Sequence, residues 1–526
     1  MFFTDLRFRG SIFTGGLIAL AGCSSTSTPA PTVELDPVEA RVNPSVALAT
    51  ITADEMLAHI SYLASDELGG RDTPSPGLEK AAVYLADAFA GSGLEPAGDE
   101  GSYLQRWTYE KSSLRTSDTG LSYESEDGQV ELGYATDFFV LPSHDSVTTG
   151  QLVFLGPIEV LLDGIPEGAE GRIAVVTTPP SMGMEILLAV KGASQAGAAG
   201  LVMILDPQLP PEVVGMVAGQ ITGSGVPQQP ILTLGVTWGV AAAMVEAAGS
   251  NLDEISGRGG PDSIDPPVQL DGLDITIRAP MDVETSTPPN VVGVLRGSDP
   301  ELADTYVVLS AHFDHLGIGT PNAEGDSIYN GADDDASGTS VLLEVAQAFQ
   351  ALPRPPARSV VFLAVSGEEK GLLGSGHYAE HPTVPLEGIV ANINIDMIGR
   401  NAPDTVIAIG QEYTSLGPLS ERIASHHPEI GLTVAPDPDP SEQAFFRSDH
   451  LVFVKQDIPA IFFTTWDHED HHQPSDEAAR IDSDKAARVA RLTFLLTWHV
   501  AEDPEPPTWN DGALDEVHAI LEESPF

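Results

Sequence analysis

Two histidines and four carboxylates able to hold metal and move a proton occur in chain order: His312, Asp334, the pair Glu368 and Glu369, Asp396 and His472. Each stands shortly after a stretch that reads as a buried strand, or inside a glycine-rich turn. Two imidazoles with three carboxylates make the donor set of a paired zinc site, and the spare carboxylate is what hydrolysis needs as a general base. The chemistry implied is metal-assisted hydrolysis.

Taken singly, the motifs leave alternatives open. In Ala311–His315 (AHFDH), His312 offers an imidazole, and Asp314 is spaced to accept the other ring N–H and fix the tautomer. The turn Gly331–Gly338 (GADDDASG) packs three carboxylates between glycines, so that one of them can bridge two cations; a solvated loop or a calcium site has the same pattern. Ser366–Glu369 (SGEE) places adjacent carboxylates at a strand end, where burying both is costly unless a cation neutralises them. Asn394–Arg400 (NIDMIGR) puts Asp396 after an apolar strand, and His468–Asp476 (HEDHHQPSD) offers three imidazoles at His468, His471 and His472.

The elements that must position these groups follow from periodicity. After Asn290, strands and helices alternate: strands at Tyr306–Ser310, Ser359–Val365, Ile389–Ile395 and Ala460–Thr464, and helices at Ser337–Leu352, from about Leu372, and at Ser483–Val500. Such alternation predicts a layered α/β sheet, and the candidate residues follow strand carboxyl ends, the edge where open α/β sheets bind ligands. Upstream, Thr52 and Glu55 form a capping box ahead of Met56, Leu57, Ile60 and Leu63, and a second helix is predicted over Pro76–Ala90. Leu94–Gln105 reads as loop. Between 133 and 265 the texture becomes Val-rich strands and Gly/Pro turns with a single Ala-rich helix, Ile186–Ala199, and no cluster of His, Asp and Glu. The tail 504–526 carries a short helical pattern at Leu514–Leu521.

Length and charge set outer limits. The 526 residues suffice for two sizeable cores, and a net charge of −53, from 77 acidic against 24 basic residues, argues against nucleic acid as a partner. The amino terminus reads as an address: Arg7 and Arg9 precede an apolar segment, Ile12–Ala21, too short to span a bilayer core of about 30 Å. It closes on Leu20–Cys23 (LAGC), which resembles the lipobox of bacterial lipoproteins, and Cys23 is the only cysteine. The expectation is a lipoprotein signal over 1–22, lipid attachment at Cys23 and a flexible tether over 23–50. The protein is then secreted across the inner membrane and lipid-anchored, in the bacterial periplasm, at the outer membrane or at the cell surface.

The five metal-site motifs together resemble the co-catalytic zinc peptidases of family M28, over about Ile51–Gly133 and Thr276–Val500, with all motifs in the family's order. The run Gly171–Thr177 (GRIAVVT) with Lys191–Ile204 (KGASQAGAAGLVMI) resembles the protease-associated domain inserted in secreted peptidases. The resemblance implies an α/β fold: a phosphorylase/hydrolase-like three-layer α/β/α zinc peptidase domain, with parts 51–132 and 266–503 around a β-rich protease-associated insert, 133–265. It also implies two Zn²⁺ ions, His312 and Asp396 on one, Glu369 and His472 on the other, with Asp334 bridging. Glu368 is then the general base and Asp314 supports His312, both in catalytic roles. Asp333 and Asp335 are turn and supporting groups, His472 is preferred to His471 from its spacing to Asp476, and His468 and His450 line the pocket. The implied activity is that of an exopeptidase releasing amino-terminal residues from peptides. An M28-type carboxypeptidase, a single-zinc glutaminyl cyclase and a non-enzymatic receptor-like homologue are the alternatives.

Overall fold

The computed structural model describes residues 43–523 apart from 126–127, 142, 144–145, 163–165, 181–184, 211, 225–228 and 259–265. The leader over 1–22, Cys23 and most of the expected tether lie outside the described residues. Of that tether, Ser45–Leu48 forms one helical turn that packs against the chain's central helix and buries Ala47, because an apolar Ala-Leu pair finds a ready surface there.

The helices expected at the start are present. α1 (Ala53–Leu63) is capped by the Thr52 hydroxyl accepting the Glu55 N–H, and α2 (Pro76–Gly91) by Ser75 in the same way, with Pro76 at the first position. Both bury one apolar face, Met56, Ile60 and Leu63 from α1 and Leu78, Ala81, Leu85 and Phe89 from α2.

The main sheet is built on β1 (Pro289–Leu295), β2 (Tyr306–His312), β3 (Ser359–Val365), β4 (Ile389–Ile395), β5 (Thr405–Ile409), β6 (Thr433–Ala435) and β7 (Ala460–Thr464). Their order across the sheet is β1-β3-β2-β4-β7-β5-β6, with short strands Glu95–Pro96 and Leu104–Arg106 added on β1. β3, β2, β4 and β7 run parallel, so their carboxyl ends share one edge. Every residue of β2 and β3 is buried, as a sheet covered on both faces requires. Val307, Leu309 and Ala311 pack with α1, α2, α3 (Gly338–Gln350) and α6 (Ser483–Glu502), while Val308, Val361 and Leu363 pack with α4 (Leu373–Glu380) on the other face. Between those two helices in sequence, α5 (Leu416–His426) joins the first face. The fold is mixed α/β, with helices on both faces of the sheet.

A second, eight-stranded sheet draws its strands from Gly120 to Arg278, beyond the expected 133–265 at both ends. Its first and last strands in the chain, Gly120–Ser125 and Val268–Arg278, alternate polar and apolar residues, so neither has the continuous Val-rich run that marked the middle of the segment. The single expected helix is Glu185–Gln195, and three more are present at Val213–Ser224, Trp238–Ala247 and Leu252–Ile255. Gly and Ala hide the helical periodicity of the first two, Trp238–Ala247 being apolar nearly all round, and Leu252–Ile255 is a single turn. The segments that enter and leave this unit pair as a two-stranded antiparallel ribbon, Tyr109–Leu114 with Met281–Ser286. Leu94–Gln105, expected as loop, contributes the two short strands on β1, held by backbone pairing rather than by side-chain pattern. The tail helix spans Ala513–Glu523 and buries Val517 beside Phe445 and Phe462.

Candidate metal centre

The end of β2 delivers His312, the turn before α3 delivers Asp333–Asp335, the loop after β3 Glu368 and Glu369, the end of β4 Asp396, and the loop after β7 His472. Gly331 holds the acidic turn: its φ is +60°, and a Cβ there would sit 2.5 Å from the His315 ring. Asp476 holds the same turn from the other side, its carboxylate accepting the backbone N–H groups of Asp333 at 3.0 Å and Asp334 at 3.1 Å. Asp333 and Asp335 point away from the middle. Asp333 Oδ1 accepts the Gly399 N–H at 2.6 Å, and Asp335 Oδ1 accepts those of Gly338 at 2.8 Å and Met397 at 3.1 Å.

Asp334 is left in the centre with its two oxygens on different partners. Oδ1 lies 3.1 Å from His312 Nε2, which is also 3.5 Å from Asp396 Oδ1. Oδ2 lies 3.1 Å from His472 Nε2, which is also 3.1 Å from Glu369 Oε2. All five expected ligands therefore meet around one carboxylate. His471 Nε2 is 3.5 Å from Asp334 Oδ2, and its other nitrogen is engaged at 2.8 Å by Asp467. His315, absent from the expected ligands, has Nδ1 2.7 Å from Glu369 Oε1 and 3.6 Å from Asp334 Oδ2. Its place in the same AHFDH run as His312 was the available signal.

Asp314 is fully buried below His312, its Oδ1 3.7 Å from Nδ1; the closer contact, 3.3 Å, is to Asp314's own carbonyl oxygen. Its carboxylate accepts the Thr73 hydroxyl at 3.0 Å and the Glu368 N–H at 3.3 Å, so it ties His312 to the loop bearing Glu368. Ser448 donates to Asp396 Oδ2 at 2.9 Å and accepts from Asn394, whose oxygen accepts the Ser310 hydroxyl. This buried chain leaves Asp396 Oδ1 facing His312. Arg71, buried in a left-handed conformation, donates to the carbonyls of Phe313, Leu63, Asn330 and Gly331, clamping the loops that carry His312 and Asp334. Neither Ser448 nor Arg71 carries a spacing signature in the sequence. His468 meets Asp333 Oδ2 at 3.1 Å rather than the centre. His450 is a core residue whose burial lowers its pKa to about 3; its Nε2 lies 2.8 Å from the Phe445 carbonyl.

Electrostatics decides whether this donor set suits cations. Burial works against a charge on His472, but its hydrogen bonds to Asp334 and Glu369 reverse that and push its pKa up to about 11. For His312 burial likewise opposes protonation, and Asp396, Asp314 and Asp334 carry it well above its ordinary value. Glu369 is raised by burial and by Asp334, yet His315 and His472 bring it down to about 2. Protonated imidazoles are thus what balances the buried carboxylates. Asp396 Oδ1 and His315 Nε2 are buried without a hydrogen-bond partner. His312 with Asp334 and Asp396, His315 with Asp334 and Glu369, and His471 and His472 with Asp334 each bring three donor atoms within 4.8 Å of one another. Mixed imidazole and carboxylate donors at these separations fit divalent zinc.

Glu368 stands beside this set, its carboxyl pushed well above the usual range, by burial first and then by Glu369, Asp449 and Asp396, with His312 opposing. It lines a cleft of about 980 Å³ together with Trp107, Leu372, Phe446 and Lys370.

Residues 290–497 match the profile of Peptidase family M28. A probable zinc metalloprotease of Pyricularia oryzae is 30% identical over 261 residues, covering 41% of this chain and 50% of the relative. Aminopeptidase YwaD of Bacillus subtilis is 33% identical over 231 residues, covering 42% of this chain and 46% of the relative. The chain thus spans about half the length of the curated relatives it matches. An aminopeptidase from Aneurinibacillus sp. strain AM-1 shares the fold, with a TM-score of 0.55 and 19% identity over 88% of this chain and 97% of that one. The matched segment contains His312, Asp334, Glu368, Glu369, Asp396 and His472, and α1, α2 and the second sheet lie outside it.

Proposed function

We propose that this protein is a zinc-dependent exopeptidase that releases amino-terminal residues from peptides. The observation that carries the reading is Asp334, whose two oxygens face separate pairs, His312 with Asp396 and His472 with Glu369, while Glu368 lies alongside. His312 and Asp396 would hold one ion and His472 and Glu369 the other, with Asp334 shared and His315 a further donor beside Glu369. Two zinc ions bound there would supply a water acidified toward neutral pH, polarisation of a scissile carbonyl and a Lewis-acid seat for a free α-amine.

The chain's own residues do the rest. Glu368, its carboxyl raised chiefly by burial, would take the proton of the attacking water and return it to the leaving amine. Asp314 and Ser448 position His312 and Asp396. The Bacillus relative bearing the name aminopeptidase supports the amino-terminal direction. The test is hydrolysis of aminoacyl nitroanilides alongside the zinc content of the purified protein. Two equivalents of zinc, with cleavage abolished by blocking the substrate amine, are expected; cleavage of amino-blocked but not carboxyl-blocked peptides would favour the carboxypeptidase alternative.

Two further parts of the reading rest on sequence. The unit over 120–278 is proposed as a protease-associated insert shaping access to the cleft, since the ribbon joining it to the main sheet lines that cleft. The leader and Cys23 support export and lipid anchoring at a bacterial membrane. Loss of fatty-acid labelling in Cys23→Ser is the check.

A further inference from the structure

The cleft beside Glu368 departs from the rest of the chain in charge. Across the sequence 77 acidic residues face 24 basic ones, and only six residues are lysine. Three of those lysines, Lys111, Lys370 and Lys455, line this one cavity with Arg447, against the carboxylates of Glu110, Glu368 and Glu380. Four cations to three carboxylates is a local reversal of a chain-wide ratio of about one to three.

The four cations are not equivalent. Lys370 Nζ is 2.7 Å from Asp72, and Arg447 is 3.5 Å from Glu442, so both are already paired. Lys111 and Lys455 are exposed, and among the described residues neither has an ion pair within 4.0 Å, although Glu284 stands opposite Lys111 across the ribbon. They come from segments distant in sequence. Lys111 sits on the strand leading into the second sheet, and Lys455 caps the helical turn Leu451–Val454, just after the Ser448 that supports Asp396. Between them the wall is apolar, from Trp107, Leu372 and Phe446. An apolar groove with unpaired cations, in a strongly acidic protein, is complementary to an extended chain bearing an anion.

We propose that this cleft seats a carboxylate of the peptide substrate, an acidic side chain near the scissile bond or the free carboxyl terminus, with Lys111 and Lys455 as its ion-pairing groups. The inference rests on the peptidase reading and adds a substrate class to it. Two partly solvated pairs correspond to a preference of about three- to tenfold over a neutral isostere.

The experiment measures binding by calorimetry to the intact protein. The probes are matched peptides with an N-methylated scissile amide, carrying Glu or Gln next to it and a free or amidated carboxyl terminus. Tighter binding of the carboxylate-bearing peptides by about three- to tenfold is expected, lost in Lys111→Ala/Lys455→Ala and restored in Lys111→Arg/Lys455→Arg. The Glu/Gln arm and the free/amidated arm tell which carboxylate is read. Equal affinity for anionic and neutral peptides, no measurable binding of any, or equal weakening of both kinds in the alanine variant overturns the proposal. Zinc-dependent cleavage of a neutral leucyl anilide is scored separately: its absence with the preference intact sinks the peptidase reading alone, and its presence without the preference sinks this proposal alone.

Discussion

The two sheets of this protein share a plan and differ in the residues set at their strand ends. Both contain four consecutive parallel strands with buried cores: β3, β2, β4 and β7 in one, and Val147–Pro157, Ile173–Thr177, Gly200–Ile204 and Leu232–Val236 in the other. At the carboxyl ends of the first stand His312, Glu368, Glu369 and Asp396. At those of the second stand Thr178, which donates to the Ile204 carbonyl, Asp206, which is 3.7 Å from Arg258, and Thr237, which caps a helix. No described Asp, Glu, His, Lys or Arg between 120 and 278 is buried, whereas the main sheet's edge buries His312, Asp314, His315, Asp333, Asp334 and Asp335. Parallel topology provides the edge. Chemistry depends on residues whose burial only a partner charge or a cation makes tolerable.

The contrast is tested most directly at Glu368. Glu368→Gln is expected to lower turnover by about 10²- to 10⁴-fold with zinc content unchanged, read by anilide hydrolysis and elemental analysis. Undiminished hydrolysis removes the base from the main sheet's edge. Next in size, Arg71→Met removes a guanidinium serving four carbonyls and is expected to cost about 3 to 5 kcal/mol in denaturant unfolding. Ser448→Ala should weaken zinc affinity by about tenfold to a hundredfold through Asp396, leaving the unfolding midpoint of the stripped protein nearly unchanged. A parallel loss of midpoint would make Ser448 a merely structural residue. On the other sheet, Thr237→Ala is expected to cost about 1 kcal/mol of stability and to leave zinc binding and turnover untouched.

Protonation bears on the same contrast. In the metal-free protein His472 is raised from 6.5 to about 11, so its contribution to stability is complete below pH 6.5 and is lost as pH rises through about 11. The melting-temperature gap between stripped wild type and stripped His472→Gln should therefore narrow over that interval. A gap that widens with pH would contradict the pairing with Asp334 and Glu369. Zinc uptake at neutral pH should release protons, since the imidazoles must deprotonate to bind; proton release is read from calorimetry in buffers of differing ionisation enthalpy.

Much of the main sheet was legible because its strands are continuous apolar runs and α1, α2 and α6 carry side-chain caps. Tyr306, Ser359, Ile389, Ala460 and Ser483 begin their elements where periodicity places them. β5, β6 and α5 were not foreseen: β6 has three half-exposed or exposed residues, and Leu416–His426, although amphipathic, opens on Gly417 and Pro418, which read as a turn. In the second sheet, polar residues alternating with apolar ones hid Gly120–Ser125 and Val268–Arg278, and Gly and Ala hid Val213–Ser224 and Trp238–Ala247. Within the site, residues adjacent to a motif were readable. Groups acting from afar, Arg71 on His312 and Ser448 on Asp396, were not, because they touch backbone or a partner distant in sequence.

Residue types and order by themselves determined the donor chemistry: two imidazoles, three carboxylates and a spare acid must follow strand ends of an α/β sheet if they are to meet. Only the tertiary structure decided how they meet. Asp334 became the shared group because Asp476 and Gly331 turn its neighbours outward, and His315 joined Glu369 because two loops distant in sequence close on each other. Covalent spacing fixes what a residue can donate, whereas packing between distant segments fixes the direction in which it donates.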